Sequence, residues 1–501
     1  MKIPVLSFLL ALVASLSLAA EKNVIFIITD DESPTLGCYG DPVAVTPAID
    51  EIAADGTVFL NAFATTASCA ASRSVVMSGL HNHRNGMYGH QHSYHGFESW
   101  KTVLSLSLPR VMANTGYRTG QIGKYHVGPE EVYRYDTYIK GGNGRNAVQM
   151  ANASKDFITA DDEKPFFLYF ATSDPHRGGG KDETSERKLK PDLFGNKPND
   201  GAHEGVEEVF YDPADVPIPH FLTDTPETRE ELAQYYQSIS RVDQGVARLV
   251  EILKEADLYD KTMIIFTADH GMAFAGGKTT VYEGGLKVPF VVRNPYEKNR
   301  GVKHEGMISH IDITPSILDF AGGLDQEKNA PKKMVNAKKY WKDTDAAKDN
   351  LGPVLESYHG RSWVPILGKP DAEHWDTIFA SHTFHEIQMY YPMRVVRDKE
   401  YKLIWNIANG LPYPFASDLW AASSFQAQFQ ESLSAPYGQK TVGEYINRPA
   451  FEFYKIGDDP YEAKNLANDP NYRDKFLEYQ EKLKAFQKEM DDPWIMKWDY
   501  E

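Results

Sequence analysis

Carboxylates, imidazoles and cations in this sequence fall just after apolar runs, where a fold can gather them in one place. Asp30 and Asp31 follow the run over 23–29, Lys124 and His126 follow 117–123, His176 follows 165–170, and Asp269 and His270 follow 262–267. Arg73 and Lys278 add two more cations, and Cys69 adds a thiol. Two adjacent aspartates at one strand end and a third at another make an oxygen-rich site suited to a hard divalent cation. A ring of Arg and Lys around it suits a tetrahedral oxyanion, with the cations stabilising developing negative charge. The reaction class is transfer of a sulfuryl or phosphoryl group to a nucleophile or water. Any one Asp alone also reads as a cap or turn, and any one His as a surface or core residue. Their convergence on one sheet edge favours a site.

Cys69 is placed distinctively. The run 57–64 reads as a strand, and 74–79 as the first turns of a helix closed by Gly79. That puts Cys69 at a helix N-terminus, in the positive end of the backbone dipole and beside unpaired N–H groups. Arg73, four residues on, shares its helix face. Read alone, the hexapeptide 68–73 also fits a buried cysteine with a surface arginine.

The elements that must position these groups alternate. Strands are expected at 23–29, 57–64, 117–123, 165–170, 262–267 and 288–293, the continuous β-branched runs being those of parallel strands buried on both faces. Helices are expected from Pro47 to Gly56, with Thr46 as cap, and over 107–114, 227–255 and 314–320. This is a doubly wound α/β domain, which places ligands at the carboxyl ends of its strands. Residues 177–221 read as a long excursion rich in Gly, Pro and charge. The lysine-rich stretch 325–349 reads as a solvated insertion, or as a basic loop near an anionic glycan. From about Thr377 the texture changes to short antiparallel strands at 377–384, 393–397, 402–406 and 451–456, then an amphipathic helix over 472–490. The division is 1–19 signal peptide, 20–370 catalytic α/β domain and 371–501 smaller C-terminal α+β domain.

Length and charge narrow the field. A chain of 501 residues exceeds one small core. A net charge of −17 argues against nucleic acid as a partner, so positive charge must be local to a pocket. Met1-Lys2, an apolar run over 3–18 and the small residues Ser17-Leu18-Ala19 read as a signal peptide cleaved before Ala20. Export to a periplasm or the exterior follows, with no membrane span in the mature chain. The two cysteines, Cys38 and Cys69, could pair, although pairing would remove any special role of Cys69.

Taken together these motifs resemble the formylglycine-dependent sulfatases over nearly the whole mature chain. Cys69-Ala70-Ala71-Ser72-Arg73 is similar to the maturation motif. Asp30-Asp31, Gly123-Lys124-Tyr125-His126, Asp269-His270-Gly271, Lys278 ahead of Tyr282-Glu283-Gly284-Gly285, and the tail 458–466 extend the likeness. Asn85-Gly86-Met87-Tyr88-Gly89, Asp174-Pro175-His176-Arg177 and Tyr391-Pro392-Met393-Arg394 resemble the members that cleave N-sulfate from glucosamine.

The resemblance implies an alkaline-phosphatase-like fold and a sulfated saccharide substrate. It implies that Cys69 becomes formylglycine, whose hydrate attacks sulfur to form a sulfate ester, and that His126 then takes a proton to expel sulfate. By the same resemblance Arg73 and Lys124 hold the hydrate and metal-side oxygens, while Lys278 and His176 grip sulfate and assist the leaving group. Asp30, Asp31, Asp269 and His270 bind Ca2+ with residue 69. His382, His385, Glu386 and Arg394 are candidates for the sugar, or for packing between the two domains. Alanine at 71, where the family has proline, implies maturation by the anaerobic radical enzyme. His270 stands where many members have asparagine, and Lys278 where the N-sulfatases have arginine. An O-sulfatase on another polysaccharide, such as an algal one, and a phosphoesterase of the same superfold are the alternatives.

Overall fold

The computed structural model describes residues 22–92, 95–142, 144–178, 194–197, 203–324 and 357–500. The predicted signal peptide and the lysine-rich insertion lie outside the described residues, as do 179–193 and 198–202 of the excursion. The described remainder of that excursion, 177–178, 194–197 and 203–221, carries no helix or strand, as its composition suggests.

Twelve strands matter here. β1 (Asn23–Thr29), β2 (Thr57–Phe63), β3 (Arg118–Gly123), β4 (Thr137–Tyr138), β5 (Phe166–Ala171), β6 (Thr262–Ala268), β7 (Phe290–Arg293) and β8 (Val302–Ser309) build one sheet. Its order is β8-β2-β7-β6-β1-β5-β3-β4. All pairings are parallel except those of β7, which runs against both neighbours. β1, NVIFIIT, is buried at every position. Its odd residues Ile25 and Ile27 face one core, and Val24, Phe26 and Ile28 face the other. Two-sided burial is why this run is apolar throughout rather than alternating. Each such side chain contributes about 1.5–3 kcal/mol by leaving water.

Helices cover both faces. α1 (Pro47–Ala54), α4 (Ala147–Ile158) and the 30-residue α5 (Pro226–Glu255) pack on the Ile25 side. α2 (Cys69–Ser78), α3 (Leu108–Asn114) and α6 (Ile313–Ala321) pack on the Val24 side. α5 begins as its sequence dictates, with Pro226 in the first turn and the Thr225 side chain accepting the Thr228 N–H. Thr46 precedes α1 but does not cap it; its hydroxyl accepts from the Gly37 amide instead.

β9 (Thr377–Phe384), β10 (Tyr390–Asp398), β11 (Lys402–Asn406) and β12 (Phe451–Tyr454) form a separate antiparallel sheet in that order. One face, with Ile378, Met393, Val395 and Ile404, joins the main core. The other, with Val396, Leu403 and Phe453, is covered by Phe476, Tyr479 and Leu483 of α7 (Arg473–Glu489). Both cysteines are free, and among the described residues no helix is long and apolar enough to cross a membrane.

Candidate active site

β6, β1, β5 and β3 lie side by side and parallel, so the chain leaves all four at the same edge. Asp30 and Asp31, Lys124, Asp174 and His176, and Asp269 and His270 are therefore delivered to one place. α2 points its first turn at the same spot. All its residues are buried, and it ends at Gly79, whose φ of +64° closes it. Asp31 has a φ of +64°, which swings its carboxylate back over the strand end. Its amide donates to Asp269 Oδ1 at 3.0 Å.

The charged groups interlock. Arg73 donates from Nε to Asp269 Oδ2 (3.0 Å) and from its terminal nitrogens to Asp30 Oδ1 (3.2 Å) and the Tyr169 hydroxyl (3.1 Å). Lys124 Nζ pairs with Asp30 Oδ2 at 2.5 Å. Lys278 Nζ makes three contacts of 2.9 Å, to Asp31 Oδ2, His176 Nε2 and Asp418 Oδ2. Cys69 Sγ sits 3.5 Å from Asp31 Oδ1 and 3.3 Å from His270 Nε2.

Burial would raise the Asp30 carboxyl, but Lys124, His176 and Arg73 hold it well below the ordinary value. Asp31 is likewise lowered, burial being outweighed by Lys278 and the two histidines. Asp269 goes the other way, pushed up to about 6 by burial that Arg73 only partly offsets. Burial also pushes the Cys69 thiol well above its ordinary value. As encoded, residue 69 is a neutral thiol sealed from solvent, unsuited to attack as a thiolate.

The donor set fits a cation. His270 Nδ1 is 2.9 Å from the Gly271 carbonyl, which can only accept, so Nδ1 carries a proton and in the neutral ring Nε2 holds a lone pair. That lone pair faces Asp31 Oδ1 at 3.1 Å and Asp269 Oδ1 at 3.9 Å. Acceptors aimed at one another in a buried site repel unless a positive ion lies among them. The possible ligand atoms of Asp30, Asp31, Cys69 and His176, and those of Cys69, Asp269 and His270, form two groups, each within 4.8 Å.

An open cleft of about 380 Å³ lies above this cluster, lined by Asp30, Lys124, Arg145, Ser173, His176 and nearby glycines. Cys69 is buried and is not part of the lining. Arg145 was not singled out from the sequence. It pairs with Asp174 Oδ1 at 3.0 Å and donates to the His176 and Arg177 carbonyls, fixing the segment that carries His176. His126, with a φ of +49°, packs its ring 4.8 Å from that of His90. His90 lies 3.8 Å from the ring of His385, and His385 Nδ1 contacts the Ser68 hydroxyl at 3.1 Å, directly before Cys69.

The sugar candidates separate. His385 adjoins the site through Ser68. His382 is buried beneath, and Glu386 is partly exposed. Of the two alternatives for Arg394, its geometry favours packing. It is 1% exposed, pairs with Asp492 at 2.5 and 3.0 Å, and lies under the Trp494 ring, so it packs elements together. Asp418 was missed. It sits in a stretch with no strand end or apolar run to flag it, and only the tertiary fold brings it to Lys278.

A three-layer α/β fold with buried carboxylates and a cation-lined cleft defines an enzyme that handles a tetrahedral oxyanion. The chain belongs to the sulfatase family, whose model matches residues 22–323. It is 34% identical to human N-sulphoglucosamine sulphohydrolase over 97% of this chain and 94% of that protein. It is 28% identical to an ulvan-active sulfatase of Formosa agariphila over 92% of this chain and 78% of that one. A solved structure described as bound to its substrate D-glucosamine-2-N,6-O-disulfate superposes with a TM-score of 0.61 at 18% identity, covering 94% of this chain and 99% of the other. The phosphonate monoester hydrolase of Agrobacterium radiobacter superposes at 0.62 and 18%, covering 94% and 96%, which speaks for the fold alone. The protein is thus a sulfatase, hydrolysing sulfate esters or sulfamides.

Proposed function

We propose that this enzyme removes N-sulfate from glucosamine residues of a sulfated glycan after export, with residues 20–370 as catalytic domain and 371–501 as a second domain. The observation that carries the reading is the interlocked cluster of Cys69, three buried aspartates and three cations at one sheet edge. The 34% identity to a sulphoglucosamine sulphohydrolase over almost the full length supports the choice of substrate.

In the mature protein residue 69 would be formylglycine, which would supply an oxygen nucleophile, and Ca2+ would supply positive charge for the anion. Asp30, Asp31, Asp269 and His270 would hold the ion with residue 69. Arg73 spans Asp30 and Asp269 and keeps the carboxylates spaced. Lys124, at the cleft and paired with Asp30, draws the sulfate toward residue 69. His176 Nδ1 is 2.7 Å from the Arg177 carbonyl, so its Nε2 holds a lone pair that accepts from Lys278. Lys278 and His176 thereby hold a proton for the leaving nitrogen. His126 takes a proton from the side chain of residue 69 as sulfate departs. Conversion of Cys69 with Ala71 two residues on is assigned to the anaerobic radical enzyme.

The test is sulfate release by the matured protein from N-sulfated glucosamine against 2-O- and 6-O-sulfated sugars and ulvan oligosaccharides. Mass spectrometry of the peptide holding residue 69 runs alongside. Release from the N-sulfated sugar, with that peptide in its oxidised form, is expected. Release from O-sulfated substrates alone rejects the N-sulfate assignment. An unmodified thiol in fully active protein rejects the nucleophile. Cys69→Ala is expected to lower kcat at least about a thousand-fold with the fold retained.

A further inference from the structure

Asp418 stands where none of the elements carrying the rest of the site would place it. It comes from the connection between β11 and β12, in the short helix Ser417–Trp420, and it contacts both Lys278 and His176. Its Oδ2 lies 2.9 Å from Lys278 Nζ and 3.8 Å from His176 Nε2. Its Oδ1 accepts the Leu419 amide at 3.0 Å, which fixes the carboxylate plane.

The proton inventory around Lys278 is complete. Its three N–H groups go to Asp31, His176 and Asp418, one each, at 2.9 Å. Asp31 is sealed and belongs to the carboxylate cluster. The side chains here that reach solvent include Lys124 at 19%, Arg145 at 21%, His176 at 26% and Asp418 at 18%, whereas Lys278 is 1% exposed. His176 lines the cleft and Asp418 stands directly behind it in contact, its Oδ2 3.8 Å from His176 Nε2 and with a second lone pair to offer. Burial would raise this carboxyl, but Lys278, His176 and His385 hold it well below the ordinary value, so it remains an acceptor.

We infer that Asp418 is a specificity-determining residue that reads the bridging atom of the substrate, accepting a hydrogen bond from the N–H of a sulfamate. This rests on the N-sulfatase reading above. A sulfamate carries a hydrogen on the atom joining sugar to sulfur, and a sulfate ester carries only lone pairs there. A fixed carboxylate beside that atom attracts the first and repels the second. After S–N cleavage the nitrogen gains a proton and becomes an amine or ammonium, which the same carboxylate holds more strongly. An ester yields an alcohol, which brings no positive charge.

The test compares wild type with Asp418→Asn and Asp418→Ala, each checked by mass spectrometry for conversion of residue 69. kcat/KM is measured on N-sulfoglucosamine and on an aryl sulfate ester, so that the ester reports a folded, matured site. The ratio of N-sulfate to ester activity is expected to fall about thirty-fold in Asp418→Asn. Equal losses on both substrates would make Asp418 a strut for Lys278 and overturn the inference, as would an unchanged ratio. Wild type that cleaves only the ester overturns the N-sulfatase reading itself, and the inference with it.

Discussion

Backbone shapes that few side chains accept hold the site's residues in position. Asp31, His126 and Thr279, which follows Lys278, all have φ between +49° and +65°. Each such position costs about 1–2 kcal/mol that the surrounding packing must offset. Gly123 is stricter still. Its φ is +84°, and a Cβ there would lie 2.0 Å from the Ala171 carbonyl oxygen. Gly123→Ala is expected to destabilise the protein by more than about 1 kcal/mol and to displace Lys124, lowering kcat/KM; denaturant melts and sulfate release check both. The gathering of Asp30, Asp31, Lys124, Asp269 and His270 was legible because each comes just after a buried strand, and that of Cys69 because it opens a helix, so topology carries them to one edge. Asp418 and Arg145 were not, since no local pattern marks them. The choice for Arg394 between sugar contact and packing was not legible, because a motif gives residue type and not burial, and its partner Asp492 lies 98 positions away.

Among the elements, the parallel strands declared themselves through unbroken β-branched runs. The direction of β7 is not encoded in its composition, and it reverses where its neighbours do not. β8 escaped notice because its register shifts between His304 and Met307, which breaks the two-residue period. The small sheet is tied to the chain's end by Arg394 and Asp492, just past α7. Burial would raise the Asp492 carboxyl, and Arg394 more than offsets it, leaving it below the ordinary 3.8. A carboxylate lowered in the folded state contributes stability above its unfolded value, and that contribution is lost as pH falls below about 3.8. Asp492→Asn is expected to cost about 3–5 kcal/mol at neutral pH and to flatten the acid limb of stability, as read by denaturant titrations across pH.

Across the whole molecule, a net charge of −17 surrounds a cleft whose reaching groups include Lys124 and Arg145. The attraction for an anionic sugar is therefore short in range, and surface charge opposes long polyanions. On the proposed calcium reading, the buried carboxylates link stability to the ion. Chelator-treated protein is expected to lose activity and melt at lower temperature, with Ca2+ restoring both. At a hundred times its Kd the ion adds about 2.7 kcal/mol, which calorimetry would register. Mg2+, which prefers a stricter octahedron, is expected to restore less.

The complete enclosure of α2 sets a deadline. On the proposed conversion of residue 69, a maturation enzyme would have no route to Cys69 once the core has closed over it, so the oxidation would have to reach the nascent or still unfolded polypeptide. Folding and conversion would then race each other, and a chain that folded first would stay in an inert form. The fraction of active molecules in a preparation would be a record of that contest, unchanged by later exposure to the converting enzyme.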